Sequence, residues 1–161
     1  EKKGFPLIRI RNLKEGYSNV YTDEDCDEKF IIANGDLLAG MDGEFKLYIW
    51  KGGKSVLNQR ACKFQPKDKS IPPFFVYSLL KPHLEYYERV NVGTTVIHLG
   101  KSDIDDIKVK RPPVALIKRY GEITNYWFEK YKNNSNSIIT LTQLRDTLLP
   151  KLMSGEVRVE M

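Results

Sequence analysis

The sequence predicts an α+β fold, a β-rich domain with short helices followed by one long C-terminal coiled-coil helix. Three observations carry this. Short apolar runs, punctuated by Gly, Pro and Asn-Gly, recur through residues 1–112 at the spacing of short strands. A breaker, Arg111-Pro112-Pro113, then closes that region. Beyond it Leu116, Tyr120, Ile123, Trp127 and Tyr131 recur by fours and threes, the near-heptad stripe of a helix that grips another helix. With 161 residues, 41% of them apolar and 29% charged, the chain suffices for one core plus an appended element. The expected division is a domain over residues 1–112, a long helix over 113–155 and a tail over 156–161.

Taken in order, Leu7-Ile8-Arg9-Ile10-Arg11 alternates apolar and basic side chains as a half-buried strand does, and residues 12–16 read as the turn after it. Phe30-Ile31-Ile32 and the turn Asn34-Gly35-Asp36 lead into Leu37-Leu38-Ala39-Gly40-Met41, a buried strand. Residues 45–50 and 55–64 read as two further strands, joined by Lys51-Gly52-Gly53-Lys54, whose glycines permit positive φ. A meander results. Pro72-Pro73 ends it, and Phe75, Leu79, Leu80, Leu84 and Tyr87 return to helical spacing, with Pro82 expected to kink or split that helix. Residues 92–99 read as a loop entering a strand, 101–106 as a polar turn and 107–109 as an edge strand.

The long helical stripe then meets Asn133-Asn134-Ser135-Asn136-Ser137, where local propensity predicts a turn and an antiparallel hairpin. Phase argues for continuity, because steps of three and four from Tyr131 give Asn134, Ile138, Leu141, then Leu144 or Arg145, Leu148 and Leu152. An unbroken helix over residues 114–153 would be about 60 Å long, a spacer as well as an interface. Pro150 should bend its last turn and Gly155 should stop it.

The formal charge is +5 and the pI near 9.1, but the excess is uneven. Lys46, Lys51, Lys54, Arg60, Lys63, Lys67 and Lys69 face a single acid, Asp68, within their stretch, and Lys108, Lys110, Arg111, Lys118 and Arg119 face none. Both stretches suit phosphates, although solvated lysines give the same count. The run Asp23-Glu24-Asp25-Cys26-Asp27-Glu28 repels DNA and belongs on a face turned away from it. Cys26 and Cys62 are too few for a disulfide framework, which points to a reducing cytoplasm. No apolar stretch approaches the length of a membrane span, so no membrane partner is expected. The chain lacks a starting Met and opens almost directly on a strand-like segment, as an excised piece does.

No catalytic constellation emerges. Ile71-Pro72-Pro73-Phe74 resembles the tetrapeptide of DNA amino-methyltransferases, but that motif needs Asn or Asp first to accept from the target amine, and Ile71 cannot. His83 and His98 have no His, Cys or carboxylate at metal-ligand spacing, so neither metal nor cofactor is expected. Asp103, Asp105 and Asp106 lack the Glu-x-Lys partner of a nuclease, and turn capping accounts for them. Asn133-Asn134-Ser135 formally matches a glycan acceptor, which a reducing compartment makes irrelevant.

Binding chemistry remains. Asn58-Gln59-Arg60 groups two amides that can read adenine with a guanidinium that can read guanine. Arg11, Lys46, Tyr48, Lys51 and Lys54 are candidates for holding the backbone, and Thr94, Thr95 and His98 offer short hydrogen-bonding groups on another loop. Buried structural amides and solvated charges are the plainer roles for the same residues.

Together these residues resemble the DNA specificity (S) subunit of type I restriction-modification enzymes. Gly35-Asp36-Leu37-Leu38-Ala39-Gly40-Met41-Asp42-Gly43 is similar to that family's "GD-L-(I/L)-A-x-x-G" strand and turn, and Ile49-Trp50 with Leu57-Asn58-Gln59-Arg60 is similar to its next hairpin. Gly93-Thr94-Thr95, with Leu99 and Ile104, resembles the segment before its proline-marked boundary. Leu144-Arg145-Asp146-Thr147-Leu148-Leu149-Pro150-Lys151-Leu152, through Val159, resembles its terminal helix most closely. The resemblance covers essentially the whole chain. It implies one target recognition domain and one conserved-region helix, with Asn134 inside that helix. It also implies double-stranded DNA, methyltransferase (modification) subunits and a restriction subunit as partners. A second conserved-region helix is implied as well, supplied by a homodimer or by the missing half of a longer subunit. Recognition without catalysis follows. The rival expectation is a protein-interaction module that displays a coiled-coil helix and carries its basic surface incidentally.

Overall fold

In the computed structural model, which describes residues 3–90 and 98–158, seven strands form two sheets, with helices against one of them. The first sheet has the order β2-β1-β6-β3. It comprises β1 (Phe5–Ile8), β2 (Tyr21–Thr22), β3 (Ile31–Ile32) and β6 (Ser55–Leu57). Its β1 runs parallel to β6, while β2 and β3 are antiparallel to their neighbours. The second sheet, β5-β4-β7, is antiparallel throughout and comprises β4 (Leu37–Gly40), β5 (Leu47–Ile49) and β7 (Ala61–Phe64). The architecture is α+β, as the sequence predicts, but it is not a meander.

Strand β4 explains the arrangement. All four of its residues are buried, so it reads as a continuous apolar run rather than an alternating one. Successive side chains on a strand point to opposite faces. Leu38 therefore joins Ile8, Leu13, Ile32, Trp50 and Leu57 in one core, between the sheets. Leu37 and Ala39 join Phe45, Leu47, Leu84 and Leu99 in the other, beneath the helices. One four-residue strand is thus the shared wall of two cores.

Several expectations are corrected. The strand expected over residues 7–11 ends at Ile8, and Ile10–Glu15 is a helix, α1. Its start is held by the Asn12 side chain, which accepts from the Arg9 backbone N–H at 3.1 Å, and Gly16 closes it at φ +82°. The single strand expected over residues 55–64 is two strands in different sheets, because Asn58 folds its side chain onto the Arg60 backbone N–H at 3.1 Å and makes a turn. Pro82 splits nothing: Pro73–Val90 is one helix, α2. The expected turn at residues 101–106 is a short helix, α3 (Lys101–Asp105), begun by the Asp103 carboxylate accepting from the Gly100 N–H at 2.7 Å. Residues 107–109 form no strand.

Val114–Ser154 is one 41-residue helix, α4, unbroken through Asn133-Asn134-Ser135-Asn136-Ser137 and ended by Gly155 in the left-handed conformation. Its polar middle is a docking point. Asn136 accepts from the Asn34 side chain at 2.7 Å, while Asn34 also accepts from the Gly53 N–H at 2.8 Å. Upstream, the Tyr131 hydroxyl donates to the Ile49 carbonyl at 3.1 Å, and Tyr120 meets Ser78 at 2.7 Å and Phe75 ring edge to ring face. Gly121 allows a close approach, since a Cβ there would come within 2.6 Å of the Pro72 ring. Tertiary bonds of this kind override weak helix propensity.

The expected helical stripe therefore divides. Tyr120 and Tyr131 are half-buried against the chain's own domain, alongside Ile117, Gly121, Phe128 and Ser135. Leu116, Ile123, Trp127, Ile138, Leu141, Leu144, Leu148 and Leu152 stay between 41% and 64% exposed. Past Ile139, which packs near Gly53, the helix runs clear of the domain for about 22 Å.

Candidate nucleic-acid interface

The turn between β6 and β7 carries the predicted base-reading residues, and the chain shapes it closely. The Asn58 N–H donates to the Ile8 carbonyl at the end of β1, and the Ala61 N–H returns to the Asn58 carbonyl. Beside it, the turn after β4 brings in Asp42, since the Met41 N–H donates to the Arg60 carbonyl at 2.9 Å. A third segment arrives through Leu99, whose N–H donates to the Met41 carbonyl at 2.7 Å, and His98 bridges Asp42. One carboxylate joins them: Asp42 Oδ2 accepts from Arg60 Nη1 at 2.6 Å, and Asp42 Oδ1 bonds His98 Nδ1 at 2.7 Å. The His98 bond, and then the Arg60 guanidinium, hold the Asp42 carboxyl below the usual carboxylate range. Asp42 is therefore a carboxylate at neutral pH, and it can only accept from its two partners.

The other predicted residues lie elsewhere on the surface. Lys46 pairs with Glu44 at 2.9 Å, and the Tyr48 hydroxyl donates to the same carboxylate at 3.0 Å. Lys46 stabilises the Glu44 carboxylate, which in turn raises the ammonium of Lys46. Tyr48 and Lys51 share a shallow groove with Leu13, Lys14, Tyr77 and Tyr131. Lys54 sits over the Phe5 ring at 4.7 Å, a cation–π contact. Arg11 is exposed on α1. Asn58 and Gln59 open onto a cleft of about 460 Å³ whose wall also holds Tyr21, Phe30 and Glu24. Thr94 and Thr95 lie outside the described residues. The structure thus brings Arg60, His98 and Asn58 together, and gives Lys46, Tyr48 and Lys54 partners outside that cluster.

Sequence reasoning missed Asp42, Glu44 and Phe5. The basic stretch over residues 46–69 looks unopposed because its acids precede it: Asp36 sits 3.5 Å from Lys63, Asp42 pairs with Arg60 and Glu44 with Lys46. Their strand-flanking positions were the available signal. Among the described residues no group of His, Cys, Asp and Glu could hold a metal, and no helix is long and apolar enough to cross a membrane.

Burial also sets an alkaline limit on the domain. It pushes the Cys62 thiol up to about 11 and, with help from Glu44, the Tyr48 hydroxyl up to about 12, from ordinary values of 9.0 and 10.0. Above pH 9 the unfolded chain releases these protons while the folded chain keeps them, so stability falls as pH rises. The loss should reach on the order of 2 kcal/mol from the buried Cys62 and less from Tyr48, whose partial solvation screens its share. Urea midpoints by circular dichroism at pH 8 and pH 10.5 check this, and Cys62→Ser should remove the earlier part of the decline.

Fold and surface together define a class: a small two-sheet module clamped to a helix whose apolar stripe it cannot cover. The chain belongs to the type I restriction modification DNA specificity domain family, whose model matches residues 1–123. It is 33% identical over 121 residues to the Type I restriction enzyme EcoBI specificity subunit of Escherichia coli, covering 75% of this chain and 26% of that protein. It is 38% identical over 179 aligned residues to the Type I restriction enzyme MjaIX specificity subunit of Methanocaldococcus jannaschii, covering 99% of this chain and 39% of that protein. The chain therefore spans between about a quarter and two fifths of the length of these curated relatives.

Proposed function

We propose that this chain reads one half of a bipartite DNA target for a type I restriction-modification enzyme, without catalysing any step itself. The similarity to specificity subunits, which in the Methanocaldococcus relative extends through the long helix, carries this reading. Arg60, Asn58 and His98 meet base edges in the major groove, and the dispersed lysines hold phosphates. The long helix pairs with a second conserved-region helix, from another copy or from the rest of a longer subunit, and so sets the distance between half-sites. Modification subunits docked along it supply methyl transfer and a restriction subunit supplies cleavage, in the cytoplasm.

The test is affinity of the purified chain for a random-sequence duplex pool across a salt series, with bound DNA sequenced. A short enriched motif is expected, with log affinity falling by about 0.9 per neutralised phosphate on a log-salt axis. Arg60→Ala should weaken binding to the motif by about 1–3 kcal/mol. Equal loss on scrambled DNA makes Arg60 a phosphate contact, and no binding at low salt favours an interaction module displaying α4.

A further inference from the structure

We propose that Asp42 is the residue that makes Arg60 discriminate between bases, by gripping one end of its guanidinium so that the opposite edge is presented outward as a guanine-reading fork. This rests on the DNA-recognition reading above. Arginine carries five N–H donors in a rigid plane. With Nη1 held by Asp42 Oδ2 at 2.6 Å, the edge formed by Nε and Nη2 keeps two parallel donors, the arrangement that matches O6 and N7 of guanine.

The pair is built asymmetrically, with the Arg60 side chain 68% exposed and the Asp42 side chain only 14%. A surface ion pair adds little stability, so holding the fold together is a poor account of it. The surroundings instead remove freedom from the guanidinium. Arg60 is fixed at its own N–H by Asn58 and at its carbonyl by Met41, and Asp42 is fixed at its second oxygen by His98. Nδ1 of His98 donates to that carboxylate, which leaves Nε2 as the ring atom available to a neighbouring base. Three chain segments spend their polar groups on orienting one side chain before any DNA arrives, and such preorganisation lowers the cost of binding.

The carboxylate has a second effect. It cancels the local charge of Arg60 and repels phosphate, so Arg60 gains little from non-specific backbone contact and favours a base edge that offers two acceptors. Asp42 thereby works against wrong sites as well as for the right one.

The full chain and its Asp42→Asn and Arg60→Lys variants are carried through the same random-duplex selection, with affinity for a motif-free duplex measured in parallel. For the unaltered chain, guanine should dominate one motif position. In Asp42→Asn that enrichment should fall about tenfold, other positions should hold, and affinity for the motif-free duplex should rise. Arg60→Lys should lose the same guanine, since an ammonium has no fork. A merely structural Asp42 would instead weaken every position together, with no gain on motif-free DNA, and that result overturns the proposal. So does an Asp42→Asn motif that keeps its guanine. If the unaltered chain binds DNA but enriches no motif, the recognition reading itself falls and takes this inference with it.

Discussion

Replacing Leu141 and Leu148 together by Asp is expected to leave the domain folded but to abolish association through α4, raising its dissociation constant at least about 100-fold. Both leucines lie on the exposed part of the helix beyond Ile139, at 64% and 44% exposure, within a stripe that continues through Leu144 and Leu152. Covering a leucine is worth about 1.5–3 kcal/mol, and two carboxylates placed in a helix seam add a desolvation cost without partners. Sedimentation velocity on the unaltered chain should show a dimer that dissociates on dilution, and the variant should remain monomeric with an unchanged circular dichroism spectrum. A dimer that survives both substitutions would move the interface elsewhere.

Trp50→Ala should be the most damaging single change to the domain, at about 3–5 kcal/mol. The ring is 1% exposed within the core between the two sheets, and its Nε1–H donates to the Gly53 carbonyl at 2.7 Å. Its backbone exchanges hydrogen bonds with Gly35 and Asp36, which close the turn before β4. Gly52 lies against the ring where a Cβ would collide, so the loop carrying Gly53 is moulded on the tryptophan. Gly53 in turn donates to Asn34, which binds α4 at Asn136. Loss of the ring should therefore loosen the helix dock as well as the core. Chemical denaturation checks the stability, and faster amide exchange at Asn34 and Gly53 than at β7 checks the route.

What could be read in the sequence follows from which interactions are local. Leu37-Leu38-Ala39-Gly40 announces a buried strand because both of its faces meet apolar cores. The stripe of α4 carries through its polar middle because helical phase persists whatever the propensity. The errors arise where one polar side chain reorganises its neighbours. Asn12 turns an alternating segment into a helix, and Asn58 breaks one apparent strand into two. Alternation in Leu7-Ile8-Arg9-Ile10-Arg11 does not reveal that Asn12 will reach back to the Arg9 N–H. Arg60 and His98 were recognisable as polar groups on separate segments, whereas the carboxylate that joins them belongs to Asp42, 18 residues before one and 56 before the other. Pairing at that range depends on strand order, and the parallel β1–β6 pair makes that order hard to infer from adjacent segments.

The dock of α4 also has a mechanical meaning. Contacts from Ile117 to Ile139 span about 33 Å of axis, against about 22 Å of free helix beyond them. In a cantilever, an error in seating is magnified by at most one plus the ratio of free length to clamped length, and here that ratio is below one. A shift of about 1 Å at either end of the clamp reaches the tip at less than twice its size. The outer leucines therefore inherit their bearing from the β-domain almost unchanged, and any partner that grips them is aimed by the position of Asn34 and Pro72.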